Sequence, residues 1–228
     1  MKIAVINFSG NVGKTTLARH LFACRLGTDI FSVESINADG DEQNMLKGKD
    51  FVVLQDEMLK SENLVIDVGA SNVEDFLSMM KKFDGANEDI DLFVVPVVPA
   101  KKQQRDTIGT LIELLELDIA KDKLRVVLNQ VEAEDDYLKT FQPIIEFCRE
   151  NDIPYSESVV VENELFDMLK NSDDTIDNLL EDETDYKAAI ADSDDADEKQ
   201  VFARKIAKQR LAKGVKRQLD KVYESVVA

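Results

Sequence analysis

The chain has little of what several large protein classes depend on. Its 228 residues include two cysteines, one histidine, four prolines, nine glycines and no tryptophan. Cys24 and Cys148 lie far apart, without CxxC spacing or Cys/His company, so neither a disulfide framework nor a zinc site is indicated. Both read as reduced, buried thiols. His20, alone in a helical pattern, reads as a surface residue rather than a metal ligand. No apolar run approaches the ~18 residues that cross a bilayer. The apolar stretch from Ile3 to Ile6 is too short for a secretory leader. A soluble, cytoplasmic protein is expected.

Positive charge is scarce as well. Twenty-eight Lys and Arg stand against 46 Asp and Glu, a net charge of −18. A body of that sign does not wrap a phosphate backbone, because non-specific nucleic-acid affinity comes from clustered Lys and Arg. The 44% hydrophobic share still supports a packed core and excludes a disordered or collagen-like chain. The deficit is uneven along the chain. Asp173 to Glu198 holds twelve acids and one lysine, whereas Lys199 to Lys221 holds nine cations and one acid. The second window carries +8, leaving −26 on the rest. It contains no proline, and its one glycine, Gly214, costs a helix only about 1 kcal/mol. On a helical wheel Leu211, Val215, Leu219, Val222 and Val226 form one stripe, with Arg210, Lys213, Arg217 and Lys221 opposite.

Before that change, strand-length apolar runs alternate with helical patterns. The strand candidates are Lys2 to Asn7, Ile30 to Glu34, Leu64 to Val68, Leu92 to Val98, Leu124 to Asn129 and Ser158 to Val161. Helices are predicted near Lys14 to Arg25, Val73 to Phe83, Gln103 to Leu117 and Tyr137 to Asn151. Several strands are continuous Val/Ile/Leu runs, as strands covered on both faces require. The alternation predicts an α/β fold, a doubly wound, mostly parallel sheet with a helical C-terminal extension. Three regions follow: an α/β domain over 1–170, an acidic helical or linker segment over 171–198, and a basic amphipathic helix over 199–228.

Phe8-Ser9-Gly10-Asn11-Val12-Gly13-Lys14-Thr15-Thr16 follows an apolar strand and opens a helix, a context that makes 1–170 a P-loop nucleotide-binding domain. Phosphate oxygens need close donors on every side, and a tight loop of backbone N–H groups supplies them where Gly10 and Gly13 keep side chains away. Lys14 then places a point charge on the phosphates and the Thr15 hydroxyl is set to ligate Mg²⁺. Phe8 stands where G-x-x-x-x-G-K-T has its first glycine. Asp67 closes the run Leu64-Val65-Ile66-Asp67, and a carboxylate at that strand edge suits a site facing Mg²⁺; a helix-capping Asp is the alternative.

The loop, Asp67 and the strand order resemble the ParA/MinD group of deviant-Walker P-loop ATPases. Within the group, Ile3 to Thr16, Ser35-Ile36-Asn37-Ala38-Asp39, Ile66 to Asn72 and Pro96 to Gln104 are most similar to plasmid stability proteins of the StbB type. The resemblance covers about 1–170 and a short Asp-Tyr-Lys stretch at Tyr186. It implies ATP with Mg²⁺ as cofactors, held by Gly10, Asn11, Val12, Gly13, Lys14, Thr15 and Thr16, with Thr15 and Asp67 as the metal ligands. It implies Lys14 and Asp39 as the catalytic pair, Asp39 orienting the attacking water. Asp41 is the alternative base, and an ordinary acidic turn the alternative reading of the segment. Asn129 falls at the base-contacting position. Its Asn-x-x-Glu context lacks the Lys and Asp of guanine-specific enzymes, which favours ATP over GTP.

The group's K-G-G-x-G-K-T pattern sends an early lysine across a dimer interface. Here Ser9 occupies that position and Asn11 the second glycine, so that lysine does not carry over; Lys101, Lys102 or Arg105 are other sources of charge. The activity implied is an ATP-dependent switch, a slow ATPase in plasmid or DNA partition and stability, working with a DNA-binding partner protein and with a homodimer among its forms. The alternative is a nucleotide-binding interaction module with little or no hydrolysis; a small-molecule kinase or synthetase is a third reading. Three uses of the C-terminal helix stay open: folding back on the acidic segment, non-specific DNA contact, and membrane contact, for which Phe202 and Tyr223 are its only aromatics. Deleting Lys199 to Ala228 is expected to spare nucleotide binding.

Overall fold

A computed structural model of the chain describes residues 1–33, 48–170, 172 and 174–227. Its centre is a five-stranded, all-parallel sheet, β1 (Lys2–Val5), β2 (Ile30–Ser32), β3 (Leu64–Asp67), β4 (Leu92–Val97) and β5 (Leu124–Leu128), in the order β2-β3-β1-β4-β5. Every residue of β3 and β4 is buried, which explains why these strands read as unbroken apolar runs rather than alternating ones. β1 lies in the middle, with later strands added on both sides of it. In a sheet wound this way the crevice beyond the carboxyl ends of the strands is where ligands bind.

The expected sixth strand, Ser158 to Val161, is not one. That segment runs past β5 with only isolated bridges, Val126 to Tyr155 and Val131 to Val161. Its backbone bonds to that edge are few, Val160 N to Leu128 O at 2.9 Å and Val131 N to Val160 O at 3.1 Å, and the Ser156 hydroxyl just before it donates to the Ser158 carbonyl at 2.5 Å.

The helix after the loop is irregular. It starts as α1 (Lys14–Leu17), widens into π-helical hydrogen bonding over Ala18–Ala23, and closes as α2 (Cys24–Leu26) before Gly27 at φ +60°. The carbonyls in the widened turn receive side-chain donors: Arg25 Nη1 reaches His20 O at 2.9 Å and Leu21 O at 3.0 Å. His20 itself is buried, contrary to the surface position expected, because it lies in the π-helical stretch, of whose six residues all but Arg19 are buried. Cys24 is half-buried and Cys148 buried.

A helix without a counterpart in the sequence reading, α3 (Gly48–Lys60), places Phe51, Leu54 and Met58 in the core. Phe51 meets Phe76 of α4 (Val73–Lys82) edge-on at 6.1 Å and Phe83 at 5.1 Å. Then come α5 (Lys101–Glu116), α6 (Tyr137–Thr140), α7 (Gln142–Glu150) and α8 (Glu164–Leu169). Among the described residues no helix is long and apolar enough to cross a membrane.

The chain forms two compact units, Met1–Glu162 with Val222–Ala228, and Asn163–Lys221. Within the first, the C-terminal turn is tied in by Arg125 Nε to Val226 O at 2.8 Å and by the Ser225 and Ser156 hydroxyls at 2.6 Å. Tyr223 packs there on Phe22, with the Arg25 guanidinium 5.5 Å from its ring centroid.

In the second unit the acidic segment forms α9 (Ile176–Glu181), capped by Thr175, and α10 (Tyr186–Asp192), capped by Asp185. Helix α11 (Ala196–Val227) follows, its last residues from Val222 belonging to the first unit; Ala212, Val215 and Leu219 are buried in the second-unit part and Val222 and Val226 beyond it, whereas Leu211 is only half-buried. One carboxylate, Asp174, takes both Lys208 at 2.8 Å and Lys205 at 2.9 Å, and Asp177 takes Lys216 at 3.0 Å. Opposite charges separated in sequence are thus joined by folding. Lys208 first and Lys205 second hold the Asp174 carboxyl well below the usual carboxylate range.

Candidate nucleotide-binding site

The loop from Phe8 to Gly13 leaves the carboxyl end of β1, where Val5 lies in register with Asp67 on β3 and Val94 on β4. Two residues in the left-handed region shape it, Asn11 at φ +58° and Gly13 at φ +83°. Glycine is required at the second on steric grounds as well: a Cβ on Gly13 would collide with the Asn129 amide nitrogen. Gly10 has open space around its Cα.

Lys14 is buried and folds back over its own loop, donating from Nζ to Ser9 O at 2.7 Å and Asn7 O at 3.1 Å. Thr15 donates its hydroxyl to Asp67 Oδ2 at 2.6 Å, so the two residues expected to ligate Mg²⁺ are brought together from α1 and β3. A hydroxyl beside a carboxylate is a hard oxygen donor pair of the kind Mg²⁺ takes, and the chemistry of these residues fits it. Among the described residues no cluster of three His, Cys, Asp or Glu could hold a metal unaided. A cation here would draw its remaining ligands from phosphate oxygens and water, as Mg²⁺ commonly does.

The loop is braced from two sides. From β5, Asn129 Nδ2 donates to Val12 O at 2.8 Å and Gln130 Nε2 to Asn11 O at 3.3 Å. Asn129 is buried, and part of its amide is committed to holding the loop. On the other flank, buried Asn7 donates to Pro96 O and to Thr107 Oγ1, both at 2.8 Å, and accepts the Ser9 N–H at 2.7 Å. Thr110 Oγ1 accepts the Phe8 N–H at 3.1 Å. The Ser9 hydroxyl donates to Asp106 Oδ2 at 3.1 Å. Ser9 is only 5% exposed, so this position faces α5 within the same chain.

Asn7, Asp106, Thr107, Thr110 and Gln130 were not singled out by sequence. Asn7 had a readable signal, a polar residue ending an apolar strand just before the loop. The α5 residues had none, because their polarity is explained only once that helix lies beside the loop. Lys101, Lys102 and Arg105 are exposed on the first turns of α5. Asp39 and Asp41, with Ser35 to Ala38, lie outside the described residues. Thr16 is half-buried.

No family model and no curated protein matches the chain. Solved structures do. Apo McdA of Cyanothece superposes with a TM-score of 0.54 at 11% identity, covering 98% of each chain. A variant of Cyanothece McdA in complex with ATP gives 0.52 at 13% identity, covering 96% of each. The cell-division protein MinD of Aquifex aeolicus gives 0.50 at 14% identity, covering 93% of this chain and 97% of that one. The chain therefore has the fold of McdA and MinD, a parallel sheet in the order β2-β3-β1-β4-β5 with flanking helices. At these identities the likeness is one of fold.

Proposed function

We propose that the chain is an ATP-dependent molecular switch, a slow ATPase of the StbB type in plasmid or DNA partition and stability, cytoplasmic and acting with a DNA-binding partner protein. One observation carries the reading: a glycine-shaped loop at the end of β1 presents Lys14 and Thr15, and Thr15 meets Asp67 at 2.6 Å. ATP-bound McdA, of the same fold, supports the choice of nucleotide.

In this reading, backbone N–H groups of Gly10 to Lys14 bind the phosphates and Lys14 leaves the Ser9 and Asn7 carbonyls to meet them. Thr15 and Asp67 would hold Mg²⁺, which would supply charge neutralisation for phosphoryl transfer. Asn129 retains a second N–H and a carbonyl to meet the adenine edge while it holds Val12. Asp39 orients water. Phosphoryl transfer asks mainly for positioning and charge neutralisation, so these few groups suffice.

The test is ATP binding and phosphate release by the full chain, with and without plasmid DNA and with and without a candidate DNA-binding partner. Lys14→Ala is expected to lose at least about tenfold in ATP affinity, the equivalent of ~1.4 kcal/mol. Asp39→Ala is expected to bind ATP and release no phosphate. Unchanged binding in Lys14→Ala defeats the reading.

A second reading, a binding module without hydrolysis, is favoured by Ser9 turned onto Asp106 where the group carries its lysine. Single-turnover phosphate release decides between them. For α11, the ion pairs to Asp174 and Asp177 support the folded-back arrangement. Arg210, Lys213, Arg217 and Lys221 remain exposed and are the proposed DNA face; its binding should fall steeply with salt. Burial of Val215, Leu219, Val222 and Val226 supports this face over membrane contact, which draws on an exposed apolar stripe.

A further inference from the structure

Within the second unit, the turn joining α9 to α10 and the facing side of α11 enclose a groove of about 310 Å³, at the lower end of the ~300–1,000 Å³ typical of ligand sites. Its lining is sorted by charge and polarity. Leu179, Leu180 and Ile206 supply apolar wall. The acids on it are already engaged: Asp182 accepts the Tyr186 hydroxyl at 2.5 Å and the Thr184 N–H at 3.1 Å, and Asp185 accepts the Lys187 and Ala188 N–H groups at 3.1 Å. Gln209 is engaged too, donating to Asp182 O at 2.8 Å.

The cations are not. Lys187, Arg210 and Lys213 line the groove, are exposed, and have no ion-pair partner among the described residues. The contrast lies on the same helix, where Lys205, Lys208 and Lys216 are all consumed by Asp174 and Asp177. Folding pairs the cations on one face of α11 and leaves Arg210 and Lys213 on another, which with Lys187 of α10 border a partly apolar recess. Three cations against the two carboxylates of the lining, Asp182 and Asp185, leave the groove at +1 in a chain of net charge −18, a local reversal of sign.

We propose that this groove docks an acidic segment of a partner protein carrying a large aliphatic side chain. The aliphatic group fills the recess against Leu179 and Ile206, and flanking carboxylates meet Lys187, Arg210 and Lys213. A phosphate backbone would use the cations but not the apolar wall, and it has no call on Lys187, which sits across the groove from the α11 ridge. The two ligand classes therefore separate by residue: Lys187 belongs to the groove alone, and Arg217 and Lys221 to the open ridge alone.

The experiment uses the full chain and a fluorescent peptide in which leucines alternate with pairs of glutamates, read by anisotropy, alongside a labelled duplex DNA. Lys187→Glu is expected to weaken the peptide at least about fivefold and leave DNA unchanged. Arg217→Glu is expected to weaken DNA and leave the peptide unchanged. Replacing the peptide's leucines by serines should cost at least about tenfold. Far-ultraviolet circular dichroism checks that both variants fold. The proposal is overturned if the wild-type chain does not bind the peptide, if Lys187→Glu binds it as tightly, or if the serine peptide binds equally well. It is also overturned if the groove residues affect duplex DNA and not the peptide, which would assign the groove to nucleic acid.

Discussion

The Ser9 hydroxyl and the Asp106 carboxylate, 3.1 Å apart, join the first turn of the phosphate-binding loop to the middle of α5. Both groups stay inside one chain, and Ser9 is nearly inaccessible. A hydrogen bond to a charged group contributes about 1.5–3 kcal/mol when buried and less when water can reach it. Ser9→Ala and Asp106→Ala should each lower unfolding free energy by about 1 kcal/mol, and the double variant should fall short of their sum by about 0.5 kcal/mol or more. Urea denaturation of the four proteins measures this; strict additivity would show that the pair does not interact.

Gly13 is the loop position least open to change. At φ +83°, and with Asn129 against the place a Cβ would occupy, Gly13→Ala must shift the loop or expel the amide that holds Val12. ATP affinity should drop at least about tenfold while far-ultraviolet circular dichroism is retained. Adding Asn129→Ala removes the collision but not the backbone strain, so affinity should recover only in part. A fluorescent-nucleotide titration checks both, and wild-type affinity in Gly13→Ala would show that the nucleotide does not sit there.

How much of this was legible follows from what kind of information each residue carries. β1, β3, β4 and β5 were readable because burial on both faces forces continuous apolar runs, and the loop because glycine, lysine and threonine are fixed by local sterics and charge. Helix α3 was missed although Phe51, Leu54 and Met58 carry its period, because charged and polar neighbours dilute a short stripe. The Ser158 to Val161 error came from composition without a ladder partner. The bracing by Asp106, Thr107 and Thr110 was illegible in principle, since those side chains acquire their role from the fold, a hundred residues from the loop they hold.

The second unit should be acid-sensitive. Asp174 has a carboxyl held well below the usual range by Lys208 and Lys205, so its contribution is complete above the unfolded value of ~4 and is lost as pH falls through the folded one. Asp174→Asn should lower stability by about 1–2 kcal/mol at neutral pH and flatten the decline below about pH 4. Thermal unfolding followed across that range tests it; identical pH profiles for variant and wild type would refute it.

Thiol chemistry should separate the two cysteines. Burial pushes the Cys148 thiol up to about 12, leaving on the order of one in ten thousand as thiolate at pH 8. Iodoacetamide should therefore leave Cys148 unmodified until denaturant is added, as peptide mass spectrometry would show. Labelling of Cys148 in the native protein at the rate of a free thiol would contradict its burial.

Removal of Lys199 to Ala228, which the sequence suggests would spare nucleotide binding, is instead expected to damage the first unit. Val222 and Val226 are buried and Arg125 is anchored to Val226 O, so loss of those side chains alone should cost about 2 kcal/mol or more. Charge reversal at Arg217 and Lys221 tests the exposed face without that loss. Nucleotide affinity should survive the reversals and fall in the truncated chain; equal affinity in both would show that the last turn is dispensable.

That last turn also sets an order of events during synthesis. Domains usually close as they leave the ribosome, from the N-terminus onward. Here the sheet and the loop are translated first, yet their unit is finished by Val222 and Val226. The nascent phosphate-binding unit must wait, with a gap beside Phe22 and Arg125, until Val222 and Val226 have been translated.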